Sequence, residues 1–402
     1  MPCRIEPAAP RPLDASPPLP EPLGWIEDEL AALAAGDLLR PRRVRTGRQG
    51  ATVVLDGTQL INLGSNDYLG YSGDVRLTKA ASKAACAEGF GAGASPLVSG
   101  HSQAHETLER RLADLLEVEA ALLFPSGFAA NSATIPALAG PGDAVFSDAR
   151  NHASLIDGCR LARASVHVYP HRDLAVLEAM LAAATTARRK LVVTDTLFSM
   201  DGTIAPLPDL CEIVRRHGAI LLVDEAHATG VFGPRGSGLV EHTGCAAGVH
   251  LRVGTLSKAL GAAGGFVAGH GRMIEWLRHR ARAWIFSTAH PPAIAAAATR
   301  AIELVAAEPR RRHELLGRAA EFRTMLAARG IDTGGAEAQI VPVIAGEPAA
   351  AVALSARLAD QGFFVPAIRP PSVPAGRSLV RASLSWLHSE ADLTRLADAL
   401  TC

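Results

Sequence analysis

Between Ala121 and Val267 the chain repeats one pattern: a short run of mostly apolar residues, then a stretch with helical spacing. The runs are Ala121–Phe124, Ala144–Phe146, Val166–Tyr169, Leu191–Thr194, Ile220–Val223 and Gly265–Val267. A strand with one wet face alternates apolar and polar residues. An unbroken apolar run needs both faces covered, which is the condition of a parallel sheet between helices. The intervening stretches supply the crossovers; Asp173 to Ala184 is one, with Asp173 placed as its N-cap. The fold class is therefore α/β, with a mostly parallel sheet flanked by helices in a large domain. After Pro291 the pattern changes to an Ala-rich helix ending near Ala307. A smaller α+β unit follows, with helix over 310–329, strand over 340–344, helix over 349–361, strand over 380–384 and helix over 390–400. The expected division is 1–22, 23–70, 71–305 and 306–402.

The first of these segments carries eight prolines and no apolar core, so it reads as a disordered extension rather than a secretory signal. Gly24 to Leu39 has helical spacing and ends in the basic stretch Arg40 to Arg48, read as solvated. Ala51 to Leu63 reads as two short strands about the turn Asp56-Gly57. The 40 basic and 40 acidic side chains cancel, which excludes a long-range field for nucleic acid or anionic lipid. No stretch approaches the roughly 20 apolar residues that cross a bilayer. Six cysteines, scattered from Cys3 to Cys402, suit a reducing compartment better than a disulfide framework.

Only four of the basic residues are lysines: Lys79, Lys83, Lys190 and Lys258. Chemistry that needs a deprotonatable amine must choose among them, because arginine stays protonated. Lys79 and Lys83 share a polar helix face, and Lys190 ends a solvated basic run. Lys258 differs. It sits in Gly254-Thr255-Leu256-Ser257-Lys258-Ala259-Leu260-Gly261, where small residues would desolvate the amine and two hydroxyls could hold a phosphate. Asp224 ends the run Ile220–Val223, where open α/β sheets bind ligands, and His227 follows within reach. A Schiff-base lysine plus a carboxylate for a ring nitrogen is what pyridoxal phosphate (PLP) requires. Ser126-Gly127-Phe128 opens a helix directly after a strand and could cradle a phosphate on free N–H groups. His152, in Asn151-His152-Ala153-Ser154, could stack on a flat ligand. Taken alone, Asp224 can also be a plain strand end, while Ser126-Gly127-Phe128 reads better as a plain βα turn and His152 as a surface histidine. His101 and His105 are spaced i,i+4, but no HExxH accompanies them, and no metal site is expected. Gly89 to Ser95 imitates a dinucleotide fingerprint but follows a helix rather than a strand.

Together the motifs SNDYLG (Ser65–Gly70), SGFAAN (Ser126–Asn131), NHASLIDG (Asn151–Gly158), FSMDG (Phe198–Gly202), DEAHATGVFG (Asp224–Gly233) and GTLSKALG (Gly254–Gly261) resemble those of the α-oxoamine synthases, PLP enzymes of the aminotransferase-like fold type I. The resemblance runs from about Trp25 to His388. It implies that Lys258 holds the cofactor and takes the α-proton, Asp224 pairs with the pyridinium nitrogen, and His152 stacks on the ring. His227 and Ser199 would hold the phenolic oxygen side. Gly127, Phe128, Thr255 and Ser257 would bind the phosphate, with Ser287 and Thr288 of a second subunit. Arg40, Asn66, His152, Pro366 and Arg381 would face the substrates, Arg381 gripping the amino-acid carboxylate. A cytoplasmic homodimer is implied, with active sites at the subunit interface.

Within that family, Arg369-Pro370-Pro371-Ser372-Val373-Pro374-Ala375-Gly376 is similar to the segment of the branch that joins L-alanine to a pimeloyl thioester on coenzyme A or acyl carrier protein. Pro96 and Pro366 depart from the family pattern, where many relatives have Arg and Thr. Another α-oxoamine synthase, such as a glycine acetyltransferase, a PLP transaminase or lyase, and a non-catalytic synthase subunit are the competing readings.

Overall fold

Each of the six apolar runs lies within a strand. The computed structural model describes residues 20–401; the Pro-rich stretch through Leu19 lies outside them, as do Cys3 and Cys402. The central sheet has the order Ala120–Phe124, Gly265–Gly269, Leu251–Thr255, Ile220–Asp224, Lys190–Asp195, Ala144–Asp148, Ser165–Tyr169. Gly265–Gly269 is antiparallel to both its neighbours, and the remaining pairs are parallel. Successive side chains serve opposite faces. Phe146, Val192, Leu221 and Val223 pack into one apolar cluster, while Val145, Leu191, Val193 and Leu222 pack into another. With helices over both faces, the inner strands have no wet side, hence their apolar runs, whereas the edge strand Ser165–Tyr169 leaves Val166 and Val168 exposed.

One strand escaped the sequence reading. Leu251–Thr255 is broken by Arg252 and Gly254, yet it lies in the middle of the sheet. Arg252 is tolerated there because Glu225 Oε2 accepts from its Nε at 2.8 Å and Ser237 O from its Nη2 at 2.9 Å. Gly254 is required by space, since a Cβ there would stand 2.2 Å from the Phe266 ring. This strand delivers the chain to Lys258.

The helix expected through Leu39 stops at Ala35, where Gly36 and the positive-φ Asp37 turn the chain. Arg45–Thr46, read as solvated, pairs as an edge strand with Thr52–Leu55. Thr52–Leu55 and Thr58–Asn62 form the expected hairpin about Asp56-Gly57. Phe363–Phe364, too short to show a pattern, runs parallel to Thr58–Asn62 and so couples the two ends of the chain. Beyond Pro292–Ala307, a second sheet of Ile340–Gly346, Ser378–Ser383 and Ala367–Ile368 packs with the helices Pro309–Ala328, Pro348–Asp360 and Glu390–Thr401. This unit reaches back to the segments that surround the central sheet's edge: Gln339 Nε2 donates to His227 O at 2.9 Å, and the Trp386 N–H to Tyr68 O at 2.8 Å. Among the described residues no helix is long and apolar enough to cross a membrane. Cys86, Cys159, Cys211 and Cys245 are free thiols.

Candidate active site

Lys258 Nζ lies 2.8 Å from His227 Nε2, and His227 Nδ1 lies 2.6 Å from the Tyr68 hydroxyl. Tyr68 in turn donates to Asn66 Oδ1 at 3.2 Å. An ammonium can only donate, so a charged Lys258 puts the imidazole proton on Nδ1 and every bond in the chain then runs toward Asn66. Burial pushes the Lys258 amine down to about 8, opposed by the nearby Asp224 carboxylate. Burial, and then the Lys258 charge, holds His227 well below the usual histidine range, so the ring is neutral.

Asp224 is the last residue of its strand and is 5% exposed. Its Oδ1 accepts from the Ala226 N–H at 2.7 Å and its Oδ2 from Asn131 Nδ2 at 2.6 Å. Asp195 ends the adjacent strand in register with it. Burial, and then the Asp224 charge, raises Asp195 well above the usual carboxylate range. Asp195 Oδ2 accepts from the His152 N–H at 2.7 Å. His152 caps the helix Ala153–Ala162, and burial holds its half-exposed imidazole below the usual value. Phe128 meets that ring edge-on, with centroids 6.5 Å apart.

Gly127 and Phe128 open the helix Gly127–Leu138, whose first N–H groups have no partner within the helix. Gly265 passes beneath this turn, where a Cβ would stand 2.4 Å from Ser126 O. Thr255 Oγ1 and Ser257 Oγ, 3.1 Å apart, complete a cradle of amides and hydroxyls on that side. Ser199 is half-buried on the loop after Lys190–Asp195. Ser287 and Thr288 line a separate cavity of about 10 Å³ with Pro96, Pro125 and Trp284. His105 also borders it, but its ring caps a helix through Ser102 and donates to His290 O, whereas His101 faces Glu106 and Glu109.

Arg381 is 8% exposed and donates to Asn66 Oδ1 and, at 2.9 Å, to Ser383 Oγ. Its backbone N–H donates to Pro366 O at 3.1 Å, so Pro366 meets the site through its carbonyl. Arg40 is exposed, and its Nη2 donates to Pro370 O at 3.2 Å, in the RPPSVPAG segment. Three participants were not singled out from the sequence: Tyr68, Asn131 and Asp195. The first two lie inside the quoted motifs SNDYLG and SGFAAN. Asp195 stands at a strand's carboxyl end, the same signal that singled out Asp224.

A buried amine near neutrality, a carboxylate at a strand end, an imidazole and a helix start with two hydroxyls form the donor set for a phosphorylated pyridine aldehyde. Fold and site together define a PLP enzyme of fold type I. The model of aminotransferase class I and II matches residues 58–400. An 8-amino-7-oxononanoate synthase of Geobacter sulfurreducens is 48% identical over 377 residues, covering 93% of this chain and 96% of that one. One from Anaeromyxobacter sp. (strain Fw109-5) is 52% identical over 379 residues, covering 94% and 95%. A serine palmitoyltransferase from S. paucimobilis, solved with PLP–myriocin bound, has a TM-score of 0.89 at 31% identity and covers 94% and 96%. The chain belongs to the 8-amino-7-oxononanoate synthase family.

Proposed function

We propose that this chain condenses L-alanine with a pimeloyl thioester, giving 8-amino-7-oxononanoate, CO₂ and the free thiol carrier, a step of biotin biosynthesis. The observation that carries the reading is the continuous path Lys258–His227–Tyr68–Asn66–Arg381, which joins a buried amine to a buried guanidinium. The guanidinium suits the carboxylate of a small amino acid, and the amine suits its α-proton.

Bound PLP supplies an electron sink for the electron pair left at the α-carbon. Lys258 is the residue that would hold it and, once released by the incoming alanine, take that α-proton. An amine near pKa 8 can do both close to neutral pH. Asp224 would keep a proton on the ring nitrogen, with Asn131 and the Ala226 N–H fixing its oxygens. His152 would lie on the ring, its backbone pinned by Asp195. His227 and Ser199 would face the phenolic oxygen. Gly127, Phe128, Thr255 and Ser257 would hold the phosphate.

The working unit in this reading is a cytoplasmic homodimer. Phe90, Leu97, Val98, Phe128 and Phe286 are exposed apolar side chains that a second copy would cover, and Ser287 and Thr288 follow Phe286 directly. Free cysteines agree with a reducing compartment. Product mass spectrometry tests the whole reading: glycine, alanine and serine are each paired with acetyl, succinyl, pimeloyl and palmitoyl thioesters. Alanine with the pimeloyl donor should turn over fastest. Faster product from glycine and acetyl-CoA would reassign the chain to a glycine acetyltransferase.

A further inference from the structure

A cavity of about 430 Å³ opens between the loops of the central sheet and the RPPSVPAG segment. One wall begins at Asn151 and Met200, the chain neighbours of His152 and Ser199, which places the cavity within one residue of two candidate site positions. The opposite wall is the stretch 370–375, where Pro370 O accepts from Arg40. Between them the lining is apolar, from Ile156, Ile344, Val373 and Leu379, and two guanidinium side chains, Arg150 and Arg377, border it. Arg150 is held in place at both ends. Its N–H donates to Asp148 Oδ1 at 2.8 Å, and its Nη1 pairs with Asp201 Oδ1 at 3.0 Å. That pair uses one of five guanidinium N–H donors and leaves others for a ligand. Arg377 has no ion pair among the described residues, and Asp201 is the one acid lining the cavity among them. Two cations against one carboxylate leave a single positive charge beside an apolar channel.

We infer that this cavity receives the acyl chain of the thioester, and that Arg150 and Arg377 select a donor bearing a carboxylate at its far end. The inference rests on the proposed condensation and names the residues that set its acyl specificity. The apolar walls take the methylenes. A chain ending in a methyl group would forgo contact with the unpaired, exposed Arg377 and with the N–H donors of Arg150 that Asp201 leaves free, so a carboxylate-ended donor gains charge-assisted contacts that a methyl-ended one lacks. Arg40 stays at the mouth, on Pro370.

The test compares pimeloyl-CoA with heptanoyl-CoA, which has the same chain length and lacks the distal charge, at saturating alanine. The wild-type holoenzyme should prefer pimeloyl-CoA in kcat/KM. Arg150→Leu and Arg377→Leu should each cut that preference roughly 10- to 100-fold, the scale of one charge-assisted contact. Arg150→Lys should restore part of it. Calorimetric binding of free pimelate and heptanoate to the same holoproteins reads the cavity without turnover, with pimelate expected to lose affinity in both leucine variants. A pimeloyl-to-heptanoyl ratio and a pimelate affinity unchanged in both variants would overturn the inference. Absence of turnover with either thioester, alongside arginine-dependent pimelate binding, would instead overturn the condensation and leave the cavity assignment standing.

Discussion

The low pKa of Lys258 has a direct kinetic consequence for apoenzyme meeting PLP. Its amine lies at about 8 rather than the usual 10.5. At pH 7.5 a group at 8 is roughly one-quarter free amine, whereas an ordinary lysine is about one part in a thousand. Burial is therefore worth a factor of roughly 200 in the reactive form, or about 3 kcal/mol. The experiment mixes apoenzyme with PLP in a stopped-flow cell from pH 6 to 10 and follows the imine absorbance. A free alkylamine serves as reference for the titrations of PLP itself. After division by the reference rate per unit of free alkylamine, which removes the titrations of PLP, the rate should rise tenfold per unit at low pH and level off near pH 8. Borohydride reduction and peptide mapping should then place the phosphopyridoxyl group on Lys258. A rate still climbing tenfold per unit through pH 9.5 would refute the argument that burial tunes this amine. A tag on Lys79, Lys83 or Lys190 would refute the residue assignment.

Asp224→Asn removes the charge proposed to keep the ring nitrogen protonated while keeping the side-chain shape. Losing one partner of a buried charge pair costs roughly 3–5 kcal/mol, so turnover should fall by about 10² to 10⁴ with PLP content near normal. Arg381→Lys exchanges the planar fork for a point charge. Steady-state kinetics should show the alanine KM rising by roughly 10-fold or more, well beyond any change in the thioester KM. Glu109, 5% exposed, is raised by burial from 4.5 to about 7. Between those values the folded chain holds a proton that the unfolded chain has released, so its contribution is complete below pH 4.5 and is lost as pH climbs to 7. The loss approaches 3 kcal/mol at about 1.4 kcal/mol per unit, and denaturant melts of Glu109→Gln should show a correspondingly flatter pH dependence across that window.

The parallel sheet was legible because two-sided burial writes itself into consecutive residues. Ile220 to Val223 says as much in four letters, and the fifth, Asp224, already points to the ligand edge. Leu251–Thr255 was not legible, because what permits Arg252 in a central strand is Glu225, on a neighbouring segment, and Ser237, on a loop. No local pattern announces a partner that distant. Phe363–Phe364 failed for a different reason: two residues have no period, and only its pairing with Thr58–Asn62 makes it a strand.

The same distinction divides the site. Its cofactor side is assembled from the ends of a few strands and the turns after them. Lys258, Asp224, Gly127 and His152 therefore each sit in a short motif whose chemistry can be argued alone. Asp195 obeys that rule too, and its place beside Asp224 follows from strand order, which a sequence does not state. The acyl side is different in kind. Arg150, Met200 and Asp201 come from two loops of the central sheet, Ile344 from a strand of the second sheet and Val373 from an irregular segment; none is remarkable in its own neighbourhood. Pro366 drew attention as a departure in sequence, yet it meets Arg381 through a carbonyl that every residue possesses. Arg150, which drew none, faces the cavity with a charge. Specificity here depends on which side chains the two sheets bring together across one space, and that is settled by packing rather than by spacing along the chain.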